Sequence, residues 1–169
     1  MACATGMLEP GPENQYYRIH VERLLASYTR WTGKLLLNVF KDGNDARALY
    51  EAPFLLLSHG LERDPIFNYG NRFAQSMYGV TWAQLISMPS RQSAEPITQS
   101  ERDRLLARVR HSGYVDDYSG VRIARNGQRF FIRDVLVWNV VDQDGQYCGQ
   151  AAFVERWEML SPATQRSGL

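Results

Sequence analysis

Gln128-Arg-Phe-Phe-Ile-Arg-Asp-Val-Leu-Val-Trp-Asn-Val-Val-Asp142 is the stretch on which the fold turns. It is dense in β-branched and aromatic residues, free of Gly and Pro, and follows the turn pair Asn126-Gly127, which predicts a long strand near the middle of a sheet. Simple alternation puts Phe130, Ile132, Leu136, Trp138 and Val140 on one face, with Asp134 as the odd polar member. The other face then carries Arg129, Phe131, Arg133, Val135, Val137, Asn139 and Val141, polar at its start and apolar towards its end. A strand half-buried on this second face needs a cover, either a terminal helix or another subunit.

The surrounding 169 residues are enough for one domain with a sizeable core. With 19 Lys and Arg against 18 Asp and Glu, the formal charge of +1 offers no basic face for nucleic acid. A hydrophobic share of 44% with 12% aromatic is that of a globular chain. Two cysteines, Cys3 and Cys148, make neither a disulfide framework nor a metal site, and a reducing cytoplasm is the expected location. No apolar run approaches the roughly 20 residues that span a bilayer, so no membrane role is expected.

From both ends inward, residues 1–13 and 158–169 read as tails, residues 14–52 as a helical extension and residues 53–157 as the core. Asn14 is a candidate cap for a helix ending at Gly33, with Tyr17, Val21, Leu24, Leu25, Tyr28 and Trp31 on one stripe. That stripe packs either on its own domain or on a second copy. Lys34 to Phe40 reads as a short helix or an anchored linker. Phe54 to His59 and Ile66 to Tyr69 make a hairpin. Asn71 and Thr81 cap two short helices ending near Gly79 and Pro89. Pro89 to Pro96 is a loop. Ile97 to His111 is a longer helix whose Ser100, Glu101, Arg102, Asp103 and Arg104 read as solvated. Tyr114 to Arg125, Gln128 to Asp142 and Gln146 to Trp157 form a three-stranded meander.

Strands separated from helices in this way argue for an α+β fold on an antiparallel sheet. The order is that of the PAS fold, and particular residues resemble one family within it, the MEKHLA domain. They are Phe54 to Asn71, Pro89 to Pro96 (Pro-Ser-Arg-Gln-Ser-Ala-Glu-Pro), Asp117 to Ile123, Val137-Trp138-Asn139, and Gly149 to Phe153 with Trp157. The resemblance spans about residues 15 to 157. It implies a PAS-like five-stranded antiparallel sheet with short helices on one face, and a sensory or interaction role. MEKHLA domains occur alone in bacteria and at the C-terminal end of plant class III homeodomain and leucine-zipper transcription factors; this chain resembles the stand-alone type. The resemblance brings no ligand or catalytic residue with it.

In such a fold a ligand lies between the helices and the sheet. Gly149, Ala151 and Ala152 either leave volume there or let neighbouring layers approach closely. Ser90, Arg91, Ser93 and Glu95 gather a cation, an anion and two hydroxyls in one loop, where Arg91 could grip an anion or pair with Glu95, Asp116 or Asp117. His59, Asp117, Tyr118 and Trp138 complete the candidate pocket. The cofactor is unknown. His111 is a lone candidate for a heme ligand. A flavin adduct needs a cysteine in the helical region, and neither Cys3 nor Cys148 lies there. No metal-like spacing of ligands occurs. A non-catalytic sensor taking a small ligand, a protein partner or both is therefore expected. The homodimer contact would use the N-terminal helix and the outer sheet face through Tyr28, Trp31, Val135 and Val137. The alternative is an enzyme in which Arg91 orients a small substrate and Glu95, Asp117 or His59 moves a proton.

Overall fold

A computed structural model of the chain describes residues 6, 8–36, 45–95 and 99–162. Its centre is an antiparallel sheet of strands β1 (Leu55–His59), β2 (Phe67–Gly70), β3 (Tyr114–Ile123), β4 (Arg129–Val141) and β5 (Tyr147–Val154) in the order β2-β1-β5-β4-β3. The first hairpin therefore joins the meander through β5, which lies in the middle and pairs with both β1 and β4. The expected last strand is interrupted at Glu155, and its final residues form a sixth strand, β6 (Arg156–Met159). β6 pairs with the first half of β4, whereas β5 pairs with the second half.

Asp134, the odd polar residue of β4, marks a change of phase. Its φ of 49° lies in the left-handed region, and its amide donates to Ser119 Oγ at 3.2 Å. Opposite β3, the register runs from Ile132 facing Gly120 to Val135 facing Tyr118, so β4 carries one extra residue here. Such a bulge re-aims every side chain beyond it. Phe130 and Ile132 consequently share one face with Val135 and Val137, while Leu136, Trp138 and Val140 point to the other. Uninterrupted alternation had grouped Trp138 with Phe130 and placed Val135 and Val137 on the outer side.

Each face has its own helical cover. The inner face is covered by α3 (Arg72–Tyr78) and α5 (Gln99–Ser112), with Ala74, Met77, Tyr78, Leu105 and Val109 buried against Leu55, Leu57, Phe130 and Val137. The outer face is covered by α1 (Arg18–Thr32) and α2 (Asp45–Tyr50), with Val21, Leu24, Tyr28 and Leu49 on Leu56, Trp138, Val140 and Phe153. Between them α4 (Trp82–Leu85) turns Leu85 inward and Trp82 outward.

The caps explain where the short helices begin. Asn71 Oδ1 accepts from Ala74 N at 3.0 Å and from Leu56 N at 3.2 Å, so one side chain starts α3 and ties it to β1. Thr81 and Gln84 form a reciprocal capping box for α4. Asn14 does not cap α1: it accepts from Gly11 N at 2.9 Å within a 3₁₀ segment, Pro12–Tyr17, and the helix starts at Arg18. Gly33 ends it, donating to Thr29 O at 2.8 Å. The reading of Lys34 to Phe40 falls largely outside the described residues.

The apolar stripe of α1 is used within the chain. Tyr28 meets Trp138 edge-on at 5.3 Å, and the indoles of Trp31 and Trp138 donate to Asn139 O and Leu24 O at 2.8 and 3.1 Å. Ser27 Oγ also bonds both the amide and the carbonyl of Val141. The outer sheet face named as a contact for a second copy is thus covered by α1 itself, and Val135 and Val137 face inward. Among the described residues, no helix is long and apolar enough to cross a membrane.

Candidate functional site

Between α5, a short 3₁₀ helix η1 (Ser90–Ser93) and the inner face lies a cavity of ≈ 70 Å³. Its wall is mainly apolar, from Leu55, Leu57, Leu105, Ile132, Val135 and Val154 among others. The bulge makes this wall possible, because without it Ile132 and Val135 could not point the same way. The loop carrying η1 is held beside β2 by Phe67 N to Met88 O at 3.1 Å and Ser90 N to Pro65 O at 2.7 Å. Gln99, in the first turn of α5, fastens the other end of that loop through Arg91 O and Ala94 O.

Four expected pocket residues, His59, Ser90, Ser93 and Tyr118, line the cavity with their chemistry available. His59 Nδ1 lies 3.1 Å from Gly60 O, which favours the proton on Nδ1 and leaves Nε2 as an acceptor; that atom is buried beside the Gln150 side chain with no well-aligned hydrogen bond among the described residues. Burial, ahead of the positive charge of Arg102, holds the imidazole below its ordinary pKa and keeps it neutral. Ser93 Oγ donates to Ser90 O at 2.7 Å, and Ser90 Oγ accepts from the Arg102 guanidinium.

The other expected residues are elsewhere. Arg91 lies at the surface and pairs with Asp64 at 3.0 Å, an acid not considered as its partner from the sequence. Asp117 pairs with Arg108 at 3.2 Å, both exposed, so the acidic residues of β3 are solvated and not buried. Glu95 lies 2.8 Å from Arg129 in a charge contact whose N–H is not aligned as a hydrogen bond. Trp138 packs under α1. Ala151 is the exception: it does line the cavity, although it belongs to the outer cluster while Ala152 packs against the inner one. Gly149 serves a close approach of strands: its φ is 144°, and a Cβ there would lie 2.0 Å from His59 O. His111 is exposed near the end of α5. Arg91, Glu95, Asp117 and His59 therefore do not converge, and the enzymatic constellation is not assembled.

Four polar residues of the cavity, Ser58 among them, escaped the sequence reading. Arg102 and Arg122 are buried at 7% and 8% exposure, and Gln150 projects from β5 with its Oε1 lacking a well-aligned hydrogen bond. The signal for Arg102 was its place three and four residues before Leu105 and Leu106, on the buried stripe of α5. Arg122 keeps the period of two that starts at Tyr118. Among the described residues, no group of three or more His, Cys, Asp or Glu is placed to hold a metal.

With this geometry in view, comparison with known proteins is informative about the fold and the family. The sequence model of the MEKHLA domain matches residues 18–159. The chain belongs to the MEKHLA domain family. The matched span includes α1 as well as the whole sheet, so the MEKHLA unit and the two-faced architecture coincide. Solved PAS structures share the fold at low identity. The light-state dimer of the fungal blue-light photoreceptor Vivid superposes with a TM-score of 0.56 at 17% identity, over 80% of this chain and 93% of that one. A PAS domain from Colwellia psychrerythraea gives 0.55 at 16%, over 65% and 91%. The PAS domain of a LuxR-family transcriptional regulator from Burkholderia thailandensis, solved in complex with ethanol, gives 0.50 at 19%, over 69% and 96%. No curated protein matches.

Proposed function

We propose that this MEKHLA domain is a non-catalytic sensory module that takes a small molecule into the inner cavity and reports it by shifting a conformational equilibrium. The observation that carries the reading is the pair of buried polar atoms in the cavity wall, His59 Nε2 and Gln150 Oε1, which interact with each other but, among the described residues, have no well-aligned hydrogen bond. Interiors normally satisfy such atoms, and a bound molecule with a donor would do so. The ligand acts only to the extent that it binds one state better than the other. At ≈ 70 Å³ the cavity is about half the size of an engineered one known to hold benzene, so the ligand is a few heavy atoms in size and not a flavin. The ethanol-bound PAS structure is a precedent for a ligand of this scale.

Coupling to a protein partner belongs to the same reading. Self-association, as in the Vivid dimer, would use the face of α1 turned away from the sheet, where Ile19 is 76% exposed. Native mass spectrometry of the protein as purified should detect a small adduct, and a metabolite panel should raise its thermal midpoint. A bare polypeptide mass together with a flat panel would end the ligand reading, and light scattering at high concentration tests self-association.

A further inference from the structure

Two cations meet inside the fold with no buried acid beside them among the described residues. Arg102 reaches the cavity from α5 and Arg122 from β3. Burial first, and then the positive charge of Arg122, lowers the pKa of Arg102. Among the described residues the carboxylate closest to Arg102 is that of Asp103, 3.9 Å away on a side chain 73% exposed, and Arg122 has no ion pair. The neutral contacts are few. Arg102 donates to Ser90 Oγ, and Arg122 donates to Val121 O at 3.1 Å while lying over the Tyr118 ring at 5.2 Å. A guanidinium has five N–H donors, so these contacts leave room on both side chains for an added acceptor. Leaving buried charge uncompensated is costly, and proteins bury arginine in pairs with an anion.

The cavity is also polarised. Gln150 Nε2 donates to Asn139 Oδ1 at 3.2 Å and to Leu106 O at 3.4 Å, which turns its Oε1 towards His59 Nε2, and neither of these two atoms has a well-aligned hydrogen bond among the described residues. The site thus combines strong donors with neutral acceptors, across a floor of Leu, Ile and Val side chains. We infer that the ligand is a small hydroxy-carboxylate, its carboxylate held by Arg102 and Arg122 and its hydroxyl donating to His59 Nε2 or Gln150 Oε1. The planar fork of arginine matches a carboxylate, the acceptors call for a donor on the same molecule, and the apolar floor calls for a carbon body that inorganic oxyanions lack. The volume limits it to roughly two or three carbons. This inference rests on the ligand-binding reading above and names the ligand's class.

The test uses the full chain, dialysed exhaustively, in thermal-shift and calorimetric titrations with glycolate, lactate, acetate, glycolamide and phosphate. Glycolate or lactate should bind best, acetate more weakly because it lacks the donor, and glycolamide, which lacks the charge, weakest of the three classes. Arg102→Met and Arg122→Met should each weaken binding roughly tenfold or more. Because the only ion pair of either arginine among the described residues is with the exposed Asp103, neither change should lower the ligand-free midpoint as far as the loss of a buried ion pair would. Arg122→Gln, which keeps polar contacts, covers the case in which a Met variant does not fold. Glycolamide binding as well as glycolate would overturn the carboxylate assignment while leaving a sensory module in place. So would tighter binding of phosphate, or arginine variants that bind like the parent. Absence of binding across the panel also overturns it, and only a bare native mass would remove the module reading as well.

Discussion

The outer and inner faces of this sheet use alternate residues of the same strands and meet different requirements. On the outer face Trp138, Val140 and Phe153 lie under α1, and the indole donors of Trp31 and Trp138 end on backbone carbonyls. No charged side chain belongs to that contact, although His20 Nδ1 and the Tyr69 hydroxyl are buried without partners. The inner face holds open volume, two guanidiniums and the facing polar atoms of His59 and Gln150. One side is organised as a filled interior and the other as a receptacle. The difference indicates that the polar inner residues answer to something besides packing.

The largest way to test this contrast is to remove the anchor of the filled side. Trp138→Ala should cost about 3–5 kcal/mol in urea unfolding, as for other buried large-to-small changes, while leaving the inner ligand preference unchanged. An equal loss of ligand selectivity would mean the faces are not separable.

Acid comes next. His20 is 6% exposed, and Ser58 Oγ, which donates to Asn68 Oδ1 at 2.6 Å, accepts from His20 Nε2 at 3.0 Å. Burial, with help from Arg23, lowers its pKa from 6.5 to about 4. The unfolded chain therefore binds more protons between pH 6.5 and 4, and stability falls across that window as pH drops. The loss is on the order of 3 kcal/mol. His20→Gln should flatten most of this slope and leave only the smaller share of His59, whose pKa is lowered in the same direction. An unchanged slope would assign acid sensitivity elsewhere.

Neighbouring alanines give a sharper comparison. Ala151→Val adds volume to the filled side and should destabilise by about 1–3 kcal/mol. Ala152→Val adds it beside the cavity and should change stability by less than about 1 kcal/mol while abolishing ligand binding. Identical outcomes would break the distinction. The smallest effect is expected at the bulge. Asp134→Gly removes the cost of a left-handed non-glycine residue, about 1 kcal/mol, but also the exposed contact to Arg156 at 3.0 Å. The net change should stay within about 1 kcal/mol, with the strand register intact by amide exchange.

Much of this arrangement was legible in the sequence because it depends on local signals. Caps at Asn71 and Thr81, the Asn126-Gly127 turn and the helix stop at Gly33 are short-range chemistry, and each stands where the residues put it. The phase of β4 was not legible beyond Asp134. Alternation assumes an uninterrupted pleat, and the bulge is specified jointly with Ser119 on the facing strand. The site divided along the same line. His59, Ser90, Ser93 and Tyr118 line the cavity, since a strand end, a compact loop and an aromatic strand position restrict where a side chain can go. Arg102 was assigned to solvent by its charge, although helical spacing put it with Leu105 and Leu106, and in this cavity spacing prevailed over charge. Arg91 had the right chemistry in the right loop, but its side chain turned to Asp64 across a tertiary contact.

Burial of Trp138 beneath α1 has a practical corollary for anyone wishing to trim this domain. A truncation starting at Pro53 would retain every strand, yet leave Leu56, Trp138, Val140 and Phe153 open to water on one continuous surface. Such a fragment is expected to be sticky and poorly expressed. The smallest well-behaved piece should begin before Arg18.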